Sequence, residues 1–175
     1  MRKEICSLIC LTIILCPGLF FGEEKPTRFS DIQPDLDSVI AKLSAYISIF
    51  EDITNKMDAS AKASQNYSEQ KNIFLSSQLA ITTIAEILEY NRDLLVLFGD
   101  LREKNRKKFY TVRIESLETS VQQINNMHRQ IQINYTILPS DFFEPALLNM
   151  EREAILSSVA SLEACVQLLK SVNRK

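Results

Sequence analysis

Apolar residues recur from Pro34 onward at alternating steps of four and three, the spacing of helices that bury one stripe at a 3.5-residue period. Four such stretches predict helices over about 34–62, 67–104, 107–138 and 145–173. The first stripe contains Leu36, Ile40, Leu43, Ile47, Phe50, Thr54, Met57 and Ala61. The third is the most regular and contains Tyr110, Ile114, Leu117, Val121, Ile124, His128, Ile131, Tyr135 and Leu138.

The end of the second helix has two interpretations. Gly99 is suited to end that helix, with a new one starting at Asp100. Alternatively, the helix continues to about Lys104, turns at Asn105, and the third helix starts near Lys107. We favour the second interpretation because it places basic residues at a helix C-terminus, where the helix dipole attracts cations.

Short connections between helices of this length imply antiparallel neighbours. The predicted fold class is therefore all-α, an up-down-up-down antiparallel four-helix bundle over residues 34–175, preceded by a polar tether over 23–33. The alternative is a long helical hairpin that completes the same bundle by dimerisation. Three Gly and no Trp in 175 residues also argue against a hairpin-rich β architecture.

Residues 1–22 have the pattern of a secretory signal peptide. A short basic opening precedes an apolar run from Ile5 to Leu15, and Gly18 and Gly22 offer small residues for cleavage. The alternative is an uncleaved membrane anchor, because 5–21 is seventeen residues long, at the short limit for crossing a bilayer. We expect an exported protein, periplasmic or extracellular. We expect contact with a membrane only if the leader is not cleaved.

The composition narrows the classes of function. A formal net charge of −2, from 20 basic and 22 acidic residues, gives no attraction to nucleic acid. One His and four Cys, three of which belong to the leader, leave no set of ligands for a structural zinc site, so no metal or cofactor is expected. Nothing in the sequence supplies an activated nucleophile, and the chain is predicted not to be an enzyme.

Polar residues on the apolar stripes are the candidates for a site. His128, the single histidine, and Glu151 lie on neighbouring predicted helices at similar distances from the connection between them. They form a candidate pair for a proton switch or a small ligand inside the bundle. Asn91 lies on the second stripe, where a buried Asn fixes the register of helices.

Two groups of residues are candidates for an interaction surface. Val96, Leu97, Ile133 and Ile137 are apolar yet lie off the stripes. Five basic residues occur within seven positions, a pattern expected of a solvated turn or of a docking patch for an acidic partner: Arg102, Lys104, Arg106, Lys107 and Lys108.

Two functions from different classes follow. The first is an exported, non-enzymatic bundle that acts as an adaptor or accessory factor in the cell envelope and binds a protein partner or itself. The second is a bundle that binds or senses a small ligand, with His128 and Glu151 as polar anchors.

Cleavage of the leader can be tested directly. We expect the intact mass of the protein recovered from its own cells to lack residues 1–18 or 1–22, because the apolar run is shorter than a typical membrane span. Mass spectrometry of the N-terminus measures this. Recovery of Met1 on the membrane-bound protein would instead support the anchor.

Overall fold

The computed structural model describes residues 28–63, 67–140 and 142–173, which form four helices. They are α1 (Phe29–Ala63), α2 (Tyr67–Asp100), α3 (Glu103–Ile137) and α4 (Pro145–Asn173). The helices have 35, 34, 35 and 29 residues, so they are about 44–53 Å long at 1.5 Å per residue. The predicted leader and Asn66, at the proposed start of α2, lie outside the described residues.

The helices pack as an antiparallel bundle in which α1 and α3 each lie between α2 and α4. The four-helix fold class is thus confirmed, and one chain supplies all four helices, so the dimerising hairpin is not needed. The core is a continuous column of aliphatic and aromatic side chains with no described strand contributing to it. Burial of such side chains is the main force that stabilises helices of this length.

The buried stripe of α1 differs in two places from the predicted one. Val39 and Ile53 are buried, whereas their neighbours Ile40 and Thr54 are half-buried. A four-three pattern allows either residue of an adjacent pair to face the core, and packing against α2 and α4 decides between them. Thr54 uses its hydroxyl to bind the carbonyl of Phe50 instead.

Helix α1 begins at Phe29, so its predicted start at Pro34 was wrong. The last five residues of the predicted tether over 23–33 belong to this helix instead. The Asp31 carboxylate accepts the backbone N–H of Arg28 at 2.8 Å, a cap at the helix N-terminus. The Phe29 ring packs edge-on against Phe98, with centroids 5.9 Å apart. Tertiary packing and this cap extend the helix by more than a turn. Pro34 therefore lies inside the helix, where it has no N–H to donate to the carbonyl of Ser30.

The connection between α2 and α3 lies at Leu101 and Arg102, so the predicted turn at Asn105 was also wrong. The Arg106 guanidinium lies in the first turns of α3 and donates to the carbonyls of Phe98, Gly99 and Leu101 at 3.2, 2.7 and 2.6 Å. The attraction of a cation to the C-terminus of α2 is real, but the cation reaches it from the next helix.

Aromatic residues close both ends of the bundle. Phe98 contacts Tyr110 and Phe29 at one end, and Arg106 lies 3.6 Å above the Phe29 ring. At the other end, Phe142 and Phe143 of the α3–α4 connection are buried against Phe74. These two residues of the connection are therefore part of the core.

A charge at Ile124, which is fully buried in the middle of α3, tests the packing. We expect Ile124→Asp to lower the free energy of unfolding by at least about 3 kcal/mol, because a buried carboxylate has no partner there. Urea unfolding followed by circular dichroism measures the change. Gln122→Asp, at an exposed position of the same helix, is the matched control. Equal stability of the two variants would contradict the packing.

Candidate functional site

The expected pair of His128 and Glu151 is not formed. Glu151 is 2% exposed and accepts a short hydrogen bond from the Tyr135 hydroxyl, whereas half-buried His128 has Gln132 as its hydrogen-bonding neighbour at 3.2 Å. Tyr135 lies seven residues after His128, two helical turns nearer the α3–α4 connection. The prediction placed the right carboxylate in the core and assigned it the wrong partner.

Burial controls the charge of both groups. Desolvation raises the pKa of Glu151 from 4.5 to about 7, and the hydrogen bond from Tyr135 lowers it in part. Burial also raises the pKa of Tyr135, so its hydroxyl remains a donor. The pKa of His128 is lowered, first by desolvation and then by the positive charge of Arg152. Near neutral pH, Glu151 is the group in the core poised to change charge.

Asn91 is fully buried, as predicted for a residue that sets register, and it belongs to a larger network. Its amide donates to Ser120 Oγ at 2.9 Å, and its Oδ1 and backbone carbonyl each accept from Arg113 Nη2 at 2.9 Å. Arg113 is 5% exposed, and desolvation lowers its pKa. Its Nε is the one buried side-chain polar atom without a partner among the described residues.

A second buried pair repeats this arrangement fourteen residues away on each helix. Asn134 of α3 donates to Ser77 of α2 at 3.0 Å and accepts from Gln130. From Ser77 to Asn91 and from Ser120 to Asn134 are equal steps of two heptads in opposite directions. The two layers therefore lock one register between antiparallel α2 and α3.

Sequence reasoning missed Arg113, Ser120 and Asn134 as core residues. They occur at heptad spacing with Met127, one column to the side of the apolar stripe of α3. The corresponding column of α2 contains Ser77, Ile84, Asn91 and Phe98. Matching small and amide residues at steps of seven on two predicted neighbours was the signal that identifies this seam.

The basic cluster divides into different roles. Arg106 is half-buried and caps α2, so its predicted place on an interaction surface is corrected: its donors serve the protein itself. Lys107 pairs with Glu103 at 3.3 Å, although both side chains are more than two-thirds exposed. Arg102, Lys104 and Lys108 are exposed at this end of the bundle.

Three of the four apolar residues that were predicted to form an interaction surface lie on one side of the bundle. Leu97, Ile133 and Ile137 are 61%, 50% and 56% exposed on the outer side of α2 and α3. Val96 is exposed too, but on the opposite side of α2, next to the column of Gly99, which approaches Gln33 of α1. Val96 is apolar like the other three residues, but its position around the helix places it on a different side of the bundle.

We define the α2–α3 face as four heptad columns that flank the outer groove between these helices. Its α2 residues are Ile73, Ala80, Ile87, Leu94, Ser76, Thr83, Tyr90 and Leu97. Its α3 residues are Phe109, Ser116, Gln123, Gln130, Ile137, Val112, Thr119, Asn126 and Ile133. Members from both helices line a shared groove of about 390 Å³, which confirms that the two sets are adjacent.

The four columns of the α2–α3 face contain no charged residue, although 24% of the chain is charged. Glu86, from the adjoining column of α2, lines the margin of their groove. Nine of the ten large apolar residues exposed among the described positions lie on α2 and α3, and six of these nine are on the face. Tyr90, Phe109 and Val112 were not among the predicted contacts and extend the patch near Leu97. Depletion of charge with exposed aromatic and aliphatic side chains is typical of an interface.

The described residues contain no cluster of three His, Cys, Asp or Glu side chains able to hold a metal ion. A cavity of about 1050 Å³ lies at the end of the bundle beside Phe29, Arg106 and Tyr110. Neither His128 nor Glu151 lines this cavity or three smaller grooves between the described helices. None of these four cavities therefore lies at the pair that the sequence suggested.

Among the described helices, α4 has the length and apolar composition that a membrane-crossing helix requires. A helix that lines the core of a bundle meets the same criterion, and α4 buries Ile155, Leu162 and Leu169 in this way. Comparison with family models, curated proteins and solved structures finds no match to this chain.

The charge of Glu151 makes stability depend on pH. Because its pKa is about 7 in the folded protein and 4.5 ordinarily, folding favours the protonated form. The contribution of Glu151 to stability is therefore fully present below pH 4.5, and it falls by up to about 3 kcal/mol as the pH rises through 7. Urea unfolding of wild type and Glu151→Gln at pH 4.5 and 7.5 tests this.

Glu151→Gln keeps an acceptor for Tyr135 and cannot ionise, so the variant is expected to exceed wild type in stability at pH 7.5 and to match it at pH 4.5. Comparing the two proteins removes contributions from other titrating groups such as His128. A constant difference at both pH values would show that the Glu151 carboxylate does not titrate in this range.

Proposed function

We propose that this protein is an exported, non-enzymatic scaffold that binds a protein partner through the α2–α3 face. The single observation that carries the proposal is the absence of charge from the four heptad columns of this face, which extend about 40 Å along two helices and expose six large apolar side chains. A surface of this kind costs solubility unless another macromolecule covers it. Export rests on the leader pattern of residues 1–22.

The exposed side chains favour a protein as the partner. Tyr90 and Phe109 are 59% and 49% exposed and offer large apolar area with few rotatable bonds. Ser, Thr, Gln and Asn fill the remaining positions and provide hydrogen bonds to another polypeptide. Neither a nucleic acid nor an anionic membrane suits a face without cations.

The interior supports a structural role for the remaining helices. Glu151 is paired with Tyr135, and Asn91 and Asn134 are held by hydrogen bonds across the α2–α3 seam. These contacts fix the helices that carry the face in one register. A rigid helical platform keeps the entropic cost of association low.

Position-specific cross-linking in the native cells tests the proposal. A photoreactive side chain at Leu97, on the face, is expected to give a discrete cross-linked protein species. The same group at Leu156, which is 48% exposed on α4, is the matched control and is expected to give much less. Equal cross-linking from both positions, or none from Leu97, would refute binding through this face.

A further inference from the structure

We infer that the partner on the α2–α3 face is a second copy of this chain, related by a twofold axis parallel to the helices. This inference rests on the proposed function and identifies the partner. Three features of the face carry it: its area, its internal symmetry and the charges along its two edges.

The area suits a stable dimer. The face extends from Phe109 to Ile137 along α3, about 42 Å at 1.5 Å per residue. Two adjacent helix surfaces are roughly 20 Å wide, since neighbouring helices pack about 8–10 Å apart. The face thus offers roughly 800 Å² per copy, the area that each partner buries in a standard specific interface.

The face is self-complementary because α2 and α3 run in opposite directions. A half-turn about an axis parallel to the helices places α2 of one copy on α3 of the other, again antiparallel. Heights along the bundle are preserved, so Leu97 meets the level of Phe109 and Val112 in the other copy. This arrangement extends the packing already present between α2 and α3 within one chain.

Charges along the two edges of the face favour a twofold axis parallel to the helices over one that crosses them. The edge of the face on α2 is acidic, with Glu86, Asp93 and Asp100. The edge on α3 carries Lys108, Glu115 and Arg129, a net positive charge. An axis parallel to the helices places Lys108 near Asp100 and Arg129 near Glu86, with one unfavourable approach of Glu115 to Asp93. An axis across the helices sets the acidic edge against itself along its whole length.

Of the six edge charges, Asp93 alone forms a salt bridge among the described residues, with Arg92 at 2.8 Å. The other five, Glu86 and Arg129 among them, form none with the described part of the chain. With heights preserved, Glu86 lies within about one helical turn of Arg129 in the other copy. This pair of residues is therefore where the arrangement of the two copies can be tested most directly.

Sedimentation equilibrium of the protein recovered from its own cells, from 1 to 100 µM, tests the dimer. The expected wild-type mass at the upper end is twice the monomer mass, which is 20.0 kDa with the leader and less without it. Leu97→Glu combined with Val112→Glu is expected to raise the dimer dissociation constant at least tenfold, with helical circular dichroism unchanged because both positions are exposed. Leu156→Glu, on α4, is the control and is expected to dimerise like wild type.

Charge reversal tests the axis. Glu86→Arg and Arg129→Glu are each expected to weaken the dimer several-fold, and the double variant is expected to restore most of the loss. A double variant no better than the sum of the single variants overturns the parallel axis. A reference pair, Glu163→Arg with Lys42→Glu, changes exposed charges away from the face and is expected to leave dimerisation unaltered.

The outcomes separate this inference from the proposed function. A wild-type monomer at 100 µM, or a dimer unaffected by the Leu97 and Val112 changes, overturns the second copy as occupant. If Leu97 still cross-links to a different protein in cells, the proposed function stands without it. A dimer dispersed by those changes, with cross-links from Leu97 to the chain itself, supports both.

Discussion

The register between α2 and α3 is the constraint on which the other features depend. Two buried amide–hydroxyl layers, Asn91 with Ser120 and Asn134 with Ser77, are separated by equal steps on antiparallel helices. A slip of one heptad would leave polar groups unpaired in the core, at a cost of about 1–3 kcal/mol for each. The same register aligns the outer columns into one uncharged surface.

The sequence was sufficient for the helices and much of the core because both follow from a local pattern. Phe50, Leu117 and Ile124 lie on predicted stripes and are fully buried. Helix ends were harder to predict because they depend on contacts between distant segments. Phe29 reaches Phe98 and Arg106 caps a neighbouring helix, and neither contact has a signature in the adjacent residues.

The candidate site shows the same division. Glu151 could be recognised as a carboxylate in an apolar column, but its partner depends on the height at which α3 and α4 meet. The loop that contains Phe142 and Phe143 folds into the core. The number of residues between two positions is therefore a poor guide to how close their side chains lie at this end of the bundle. Tyr135, two turns from His128, was the residue at the right height.

Arg113 raises the question of why a bundle keeps a guanidinium in its core without a carboxylate. Its Nη2 binds two oxygens of Asn91, which orients the amide that also binds Ser120. Desolvation opposes its charge, so the arrangement costs stability relative to an apolar residue. What it supplies is a directional contact that only one alignment of the two helices can make.

The seam between α2 and α3 therefore contains polar layers between apolar ones such as those of Ile84 and Phe98, and its outer surface exposes large apolar side chains. Each polar layer reduces the hydrophobic burial that holds an amphipathic helix pair together. Leu97 and Val112 are 61% and 60% exposed on the two helices whose shared interior contains Asn91 and Arg113. A helix pair with weaker apolar packing inside and excess apolar area outside gains stability when its outer surface is covered. Association and internal order on this side of the bundle are thus expected to be coupled, because both depend on the same two helices keeping their register.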